Sequence, residues 1–138
     1  MIYIHIPFCK SRCLYCDFFS TTSSDLKDDF VKALLKEIEG RAEELRLARA
    51  NTIYIGGGTP SQLDAKHLTD IFDALQRVAP LQEDAEVTIE CNPDDVTPEF
   101  VDALKATPVN RVSMGVQTFD DNLLRLLRRR HTSEQAHS

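Results

Sequence analysis

Four short apolar segments alternate along this chain with longer segments of mixed polarity. The short segments are rich in β-branched residues and stop at proline, glycine or a polar turn, which is typical of buried strands. They occupy residues 2–6, 52–55, 86–91 and 111–116. The longer segments carry helix-starting signals, and we expect helices over residues 24–49, 64–78, 97–107 and 122–130.

The first predicted helix shows the clearest periodicity. Its apolar positions recur every three or four residues, which predicts one buried stripe along the helix. The stripe comprises Leu26, Phe30, Leu34, Leu35, Ile38, Ala42 and Leu45. Capping signals precede three of the helices, and they are Ser24 or Asp25, Thr97 with Pro98, and a capping-box outline at Thr118–Asp121.

Strands and helices that alternate in this way favour the α/β class, with parallel strands joined by right-handed crossovers. The unusual residues of the sequence all lie at one position in each unit. Cys9–Cys16, Gly56–Thr59, Glu90 and Gln117 lie at or just after the carboxyl end of a predicted strand. In barrels and in open α/β sheets, that edge holds the ligand site. We therefore expect these residues to share one site.

Composition and charge narrow the class of protein. A length of 138 residues fits one domain, and 42% hydrophobic with 28% charged residues is typical of a globular chain. A net charge of −6 disfavours a general nucleic-acid binder, and we expect the arginines between Arg125 and Arg130 to face solvent on a helix. No apolar run approaches the ~20 residues that span a bilayer. Because the N-terminus also lacks a signal-peptide pattern, we expect a cytoplasmic location.

Cys9, Cys13 and Cys16 form a C-x3-C-x2-C run soon after the first strand. Thiolates this close together suit a soft metal centre. Three ligands leave one iron of a [4Fe–4S] cluster open, much as three-ligand zinc sites keep a position for water or substrate. Two alternatives stay open, a Cys3His zinc site that uses His5 and cysteines with no metal role. Cys91 lies too far along the chain to favour a disulfide framework, and we expect it to be a buried apolar side chain.

Other residues at the predicted strand ends also carry alternatives. The glycines of Gly56–Gly58 either allow a close ligand approach or simply make a tight turn. Glu90 is either an acceptor for ribose hydroxyls or a solvated carboxylate, and Gln117 is either a ligand contact or a helix cap. Tyr15 either stacks on an aromatic ligand or covers the metal site. We expect His5 to be a core histidine satisfied by a hydrogen bond.

The cysteine run also resembles a family signature. Cys9-x3-Cys13-x-Tyr15-Cys16, with an aromatic residue before the last cysteine, is similar to the radical S-adenosylmethionine (SAM) signature. Segments 3–9, 56–61 and 115–119 resemble one branch of that family, which contains the oxygen-independent coproporphyrinogen III oxidases and related haem chaperones. The resemblance extends over nearly the whole chain. It implies a parallel-sheet partial TIM barrel of radical SAM type, with about four βα units present in this sequence.

The resemblance further implies which cofactors bind and where. Cys9, Cys13 and Cys16 would ligate three irons of a [4Fe–4S] cluster, and SAM would chelate the fourth. The SAM contacts implied by the family are Tyr3, Tyr15, Gly57, Gly58, Thr59, Glu90, Gln117 and Arg129. Among these, the segment from Gly57 to Thr59 would receive the methionine end of SAM and Glu90 the ribose. The reduced cluster would cleave SAM to methionine and a 5′-deoxyadenosyl radical.

Two details separate the members of this branch. The oxidases carry a further cysteine two residues after the third ligand, where this chain has Phe18. The segment 129–136 resembles the chaperones, although Arg128 replaces the more usual glycine. The resemblance therefore favours a haem chaperone, whose partners would be haem, a haem-recipient protein and an electron donor protein. The alternatives are radical decarboxylation of coproporphyrinogen III and, more distantly, a non-enzymatic zinc-binding domain.

The resemblance also bears on domain organisation. The core of the family is a partial barrel of six βα units, whereas this sequence predicts four. We therefore expect residues 1–138 to be the N-terminal part of a radical SAM core domain, without the rest of the core and without a C-terminal domain. Such a chain would bind the cluster yet lack full turnover.

Overall fold

The computed structural model describes residues 1–11 and 24–138. In this part of the chain, four parallel strands form one sheet in the order β1-β2-β3-β4. The strands are β1 (Ile2–Ile6), β2 (Thr52–Gly57), β3 (Glu86–Cys91) and β4 (Arg111–Met114). Each strand pairs in parallel with the next one along the chain. The predicted α/β class with a parallel sheet is confirmed.

Helices connect the strands and follow the last one. Their bounds are α1 (Lys27–Gly40), α2 (Ala42–Ala48), α3 (Ala65–Val78), α4 (Pro98–Lys105), α5 (Asp121–Leu126) and α6 (Ser133–His137). Short 3-10 turns occupy Ser24–Leu26, Pro60–Gln62 and Pro93–Asp95. Among the described residues, none of these helices has both the length and the apolar character needed to cross a bilayer.

The two faces of the sheet differ in polarity because side chains alternate along each strand. The apolar face contributes Ile4, Ile6, Ile53, Ile55, Val87 and Ile89 to the core, each at most 5% exposed. Helix α3 packs Leu68, Ile71 and Leu75 into the same core. The opposite face carries Tyr3, His5, Tyr54, Thr88 and Glu90. The register therefore places a row of polar side chains on this second face, and the row extends toward the carboxyl ends of the strands.

The first helix differs from the prediction of one continuous helix over residues 24–49. The helix breaks at Arg41, whose φ of −100° and ψ of 16° separate α1 from α2. The low helix propensity of Gly40 favours a break at this point. Leu26 lies in the preceding 3-10 turn and is 52% exposed, so its place in the buried stripe was wrong. Ile38 is buried in the core, and four further residues of the stripe pack against it, namely Phe30, Leu34, Leu35 and Leu45.

The region after β4 differs in its strand end and its cap. The strand ends at Met114, whereas the sequence predicted residue 116. Asp120, rather than Thr118, caps α5, because its carboxylate accepts hydrogen bonds from the backbone N–H groups of Asn122 and Leu123 at 2.8 and 3.2 Å. The capping position predicted from the sequence was thus two residues too early.

The last predicted helix, over residues 122–130, is shorter in the structure. Helix α5 ends at Leu126 because Arg128 adopts a left-handed φ of 56°. The N–H of Arg129 then bonds to the carbonyl of Leu124 at 2.8 Å, and the N–H of Arg128 bonds to that of Arg125 at 3.1 Å. These two bonds make a Schellman end, in which glycine usually occupies the left-handed position. The chain turns there and leads into α6, which the sequence did not predict.

Candidate cofactor site at the carboxyl edge of the sheet

A cleft of about 330 Å³ opens at the carboxyl edge of the strands. It brings together seven residues that the sequence had singled out at separate places along the chain. These are Cys9, Gly57, Gly58, Thr59, Glu90, Gln117 and Arg129. They come from the carboxyl ends of β2 and β3, from the segments after β1, β2 and β4, and from the turn after α5. Six of them, all but Arg129, were expected to meet at this edge, and they do. Their role as cofactor contacts stays a prediction.

The other candidate residues lie elsewhere or outside the described part. Tyr3 does not line this cleft. It lies on the polar face of β1, 49% exposed, with its ring stacked on Tyr54 at a centroid distance of 6.2 Å. Its hydroxyl shares a hydrogen bond of 3.1 Å with Nδ1 of half-buried His5. Cys13, Tyr15, Cys16 and Phe18 lie outside the described residues.

The turn after β2 is tied directly to the segment that leads into the cysteine run. The N–H of Gly58 donates to the carbonyl of Ile6 at 2.7 Å, and the N–H of Thr59 donates to that of Phe8 at 2.6 Å. A Cβ on Gly58 would lie 2.7 Å from the Phe8 carbonyl oxygen. Glycine is therefore required here because two backbones meet, and the turn holds Cys9 at the cleft.

Glu90 is held in a fixed position on the polar face of β3. The Tyr54 hydroxyl donates to Oε1 at 2.5 Å, and the N–H of Gly57 donates to Oε2 at 3.2 Å. Burial and the Glu90 carboxylate raise the pKa of the Tyr54 hydroxyl, so this group stays protonated and keeps donating. Each carboxylate oxygen retains a further lone pair for a ligand hydroxyl. The structure thus shows a carboxylate held by two donors with acceptor capacity left over, and its contact with a ribose hydroxyl stays a prediction.

A buried carboxylate at Asp95 joins three parts of the site. Its side chain is 2% exposed and accepts from Lys10 Nζ at 2.9 Å and Ser61 Oγ at 2.8 Å. Arg130 approaches it at 3.3 Å and also pairs with Asp94 at 2.7 Å. The expectation that the arginines up to Arg130 face solvent is therefore wrong at this residue. Asp95 links the cysteine segment, the glycine turn and the segment after α5.

The pKa of Asp95 reflects these partners. Burial alone would raise the pKa, but the hydrogen bonds from Lys10 and Ser61 and the charges of Arg130 and Lys10 outweigh it, so the pKa lies below its ordinary value of 3.8. A lowered carboxyl pKa stabilises the fold above the unfolded-state pKa, and this contribution is lost as pH falls through the folded-state pKa.

We expect Asp95→Asn to lower the free energy of unfolding by about 2 kcal/mol at pH 7, because charge-assisted hydrogen bonds to a buried group are lost. The difference from wild type should shrink as pH falls below about 4, because the carboxyl takes up a proton in the unfolded chain before it does so in the folded one. Urea denaturation at several pH values measures both effects. Asp102→Asn, on the exposed face of α4, serves as a control. An equal Asp95→Asn effect at pH 7 and at pH 3 would contradict this explanation.

Cys91 differs chemically from the candidate metal ligands. It is buried at 4% exposure within the apolar core, as the sequence predicted. Burial, with a smaller effect from the Asp95 charge, raises the pKa of its thiol to about 11. A thiol with this pKa stays protonated at neutral pH and is a poor metal ligand.

The surroundings of the Cys9 sulfur suit a ligand of an iron–sulfur centre. Its sulfur is buried at the cleft and accepts a hydrogen bond from the Thr59 hydroxyl at 3.4 Å. Soft thiolate ligands with hydrogen-bonded sulfurs are typical of such clusters. Among the described residues, no three His, Cys, Asp or Glu side chains are arranged to hold a metal ion, and two of the three cysteines lie outside them. The zinc alternative with His5 stays a prediction.

The fold and this site define the class of protein. The model of the radical SAM superfamily matches residues 3–137. The chain therefore belongs to the radical SAM superfamily, and the resemblance found in the sequence is confirmed. Membership implies a [4Fe–4S] cluster and SAM as the general cofactors of the family.

Several curated relatives show which members of the superfamily this chain is similar to. The chain is 41% identical over 131 residues to a protein named heme chaperone HemW from Bacillus subtilis, covering 94% of this chain and 35% of that protein. It is 40% identical over 141 residues to the HemW of Escherichia coli, covering 98% of this chain and 36% of that protein. The HemW of Lactococcus lactis is 38% identical over 136 residues. This chain thus spans about a third of the length of these relatives.

Solved structures agree on the fold. Coproporphyrinogen III oxidase (HemN) from Escherichia coli, described as a radical SAM enzyme, matches with a TM-score of 0.85 and 32% identity. The match covers 97% of this chain and 31% of that one. Elp3 from Methanocaldococcus infernus matches with a TM-score of 0.55 at 20% identity, which supports the fold alone.

Proposed function

We propose that this chain forms the cluster- and SAM-binding part of a haem chaperone of the radical SAM superfamily. The observation that carries the proposal is the cleft that gathers Cys9, the glycine turn, Glu90, Gln117 and Arg129 at one edge of the sheet. The choice of a chaperone is supported by identities of 38–41% to proteins named heme chaperone HemW, against 32% to the oxidase HemN. Haem and a recipient protein are its proposed partners.

In this proposal, Cys9, Cys13 and Cys16 ligate the cluster. When bound and reduced, the cluster supplies the electron that cleaves SAM and begins radical chemistry. Arg129 provides a guanidinium for the SAM carboxylate, a pairing that guanidinium geometry suits well. Glu90 accepts the ribose hydroxyls, with Tyr54 and Gly57 holding its carboxylate in place.

The glycine turn has a more specific role in the proposal. The N–H groups of Gly57, Gly58 and Thr59 donate to Glu90, Ile6 and Phe8 within the protein. The N–H donors of this turn are thus already engaged, and backbone carbonyl oxygens are the polar groups that it can offer to a ligand. An ammonium group suits such a surface better than a carboxylate does. We assign the SAM amine to the turn and the SAM carboxylate to Arg129.

The remaining assignments extend the site beyond the described cleft. Gln117 offers an amide to SAM from the segment after β4, where its φ of 70° is left-handed. Tyr3 and Tyr15 are proposed to contact SAM from β1 and from the cysteine run. Residues 1–138 are proposed to lie within the N-terminal part of the radical SAM core domain, in line with the third of each relative's length that they span. An electron donor protein completes the proposed partners.

Anaerobic reconstitution with iron and sulfide tests the cofactor proposal. We expect about four irons and four sulfides per chain, a brown colour and absorbance near ~400 nm from thiolate ligation. Addition of SAM should then change the EPR spectrum of the reduced cluster, because SAM is proposed to bind the open iron. Zinc in place of iron, or no metal at all in oxygen-free material, would overturn the proposal.

A second experiment separates the chaperone from the oxidase. Residues 1–138 are studied within a protein of the full length of the relatives. This protein is reconstituted, titrated with haem and, separately, incubated with coproporphyrinogen III, SAM and a reductant. We expect saturable haem binding and no release of CO2 from the porphyrinogen. Release of CO2 without haem binding would favour the oxidase, to which the structural match with HemN points.

A further inference from the structure

A continuous row of hydrogen bonds leads from Arg129 to the sulfur of Cys9. Arg129 donates to Asn92 Oδ1 at 2.8 Å, and Asn92 Nδ2 donates to Thr59 Oγ1 at 3.3 Å. Thr59 Oγ1 in turn lies 3.4 Å from Cys9 Sγ. The four residues come from the segments after β1, β2 and β3 and from the turn after α5, so tertiary structure alone brings them together.

The direction of every bond in this row follows from chemistry. A guanidinium only donates, so the group of Asn92 that faces Arg129 must be its carbonyl oxygen. The Asn92 amide nitrogen then faces Thr59, and the Thr59 oxygen acts there as an acceptor. The Thr59 hydroxyl proton is consequently free to point at its other neighbour, the Cys9 sulfur. Arg129 thus fixes Asn92, and Asn92 fixes the hydroxyl.

The geometry around the Thr59 hydroxyl is rigid. Thr59 is 5% exposed, and Cys9 is buried beside it. The backbone of Thr59 is bonded to Phe8, the residue before Cys9, at 2.6 Å. A second backbone bond joins Gly58 to Ile6 at 2.7 Å. These backbone bonds keep the Thr59 hydroxyl and the Cys9 sulfur at a fixed separation, so a hydrogen bond between the two groups acts on the sulfur with constant geometry.

We propose that the Thr59 side chain, positioned by Asn92 and Arg129, donates a hydrogen bond to the Cys9 sulfur that raises the reduction potential of the bound cluster. Reduction adds negative charge to the cluster and its thiolates, and a hydrogen bond to a ligating sulfur stabilises the more negative state. Thr59 and Asn92 are therefore positioning residues. This inference rests on the proposed ligation of the cluster by Cys9. It gives the Thr59 side chain a role in addition to the SAM contact proposed for the Gly57–Thr59 turn.

Thr59→Val tests the inference because it removes the hydroxyl and keeps the shape of the side chain. We expect the equilibrium constant for one-electron reduction of the cluster to fall about tenfold, which lowers the midpoint potential by about 59 mV. EPR-monitored redox titration of the reconstituted chain measures the potential, and iron and sulfide are assayed on the same samples. Thr59→Ser keeps a hydroxyl and should restore most of the potential.

Asn92→Ala tests the row of hydrogen bonds independently. It is also the variant to measure if Thr59→Val does not retain a cluster. We expect it to lower the potential when Thr59 is present and to have no effect in the Thr59→Val background, because Asn92 acts through the hydroxyl. Equal potentials for wild type and Thr59→Val, or an unchanged potential in Asn92→Ala, would overturn the inference and leave the proposed function standing. A wild-type chain without iron and sulfide would overturn the proposed function, and the inference with it.

Discussion

Replacing Cys9 with serine is expected to reduce the iron and sulfide content of the anaerobically reconstituted chain to background. A [4Fe–4S] cluster needs soft thiolate ligands, and a serine hydroxyl is a hard donor that stays protonated at neutral pH. Cys9 is buried at the cleft and accepts a hydrogen bond from Thr59, so another side chain has little room to replace it. Iron and sulfide assays, with the absorbance near ~400 nm, measure the loss.

The fourth cysteine offers a matched control for this experiment. Cys91 is also buried, but its thiol pKa is raised to about 11, so it is expected to play no part in ligation. Cys91→Ala should keep the wild-type iron content, whereas Cys13→Ser and Cys16→Ser should lose it as Cys9→Ser does. Full iron content in Cys9→Ser, or its loss in Cys91→Ala, would show that the proposed ligand set is wrong.

The sheet could be predicted from the sequence because its signals are local. Buried strands such as β2 and β3 are short apolar runs with clear ends at glycine or proline. Once the strands are parallel, their carboxyl ends must meet at one edge. The convergence of Gly57, Glu90 and Gln117 on one cleft therefore needed no knowledge of long-range contacts.

The interactions that support the site could not be predicted because they are long-range. Asp95 pairs with Lys10, which lies 85 positions away in the chain, and with Arg130, which lies 35 positions away. Lys10 occupies an unspecified position of the cysteine run, and a run of arginines on a helix normally faces solvent, so neither Lys10 nor Arg130 suggests a partner for Asp95. In the structure, Arg130 pairs with the buried Asp95 and Arg129 with the partly buried Asn92, and only the tertiary structure shows these pairs.

Tyr54 and Asn92 were missed as supporting residues, although the sequence held a signal for each. Tyr54 lies on the same face of the sheet as Glu90, on the neighbouring strand, so strand alternation alone places the two side chains close together. Asn92 precedes Pro93 directly after β3, and from the sequence such an Asn-Pro pair indicates only the end of a strand. A polar residue at a strand end next to the proposed site could have been considered as a contact to Thr59 or Arg129.

Replacing Gly57 with alanine is expected to lower the free energy of unfolding by about 4 kcal/mol. The φ of Gly57 is +109°, a conformation that costs an L-residue about 1–2 kcal/mol or more. The new Cβ would also lie 2.6 Å from the ring of His5, and overpacking of this kind costs about 1–3 kcal/mol. Urea denaturation followed by circular dichroism measures the change.

Gly40→Ala is the matched control for this prediction. Gly40 lies at the end of α1, its φ is not positive, and a Cβ there has no neighbour within 4 Å. The same substitution should therefore be neutral there or stabilise the chain by up to about 1 kcal/mol. Equal stabilities for Gly57→Ala and Gly40→Ala would contradict the backbone conformation given to the turn. Because Gly57 also donates to Glu90, the proposed binding of SAM should be weaker in Gly57→Ala than in Gly40→Ala.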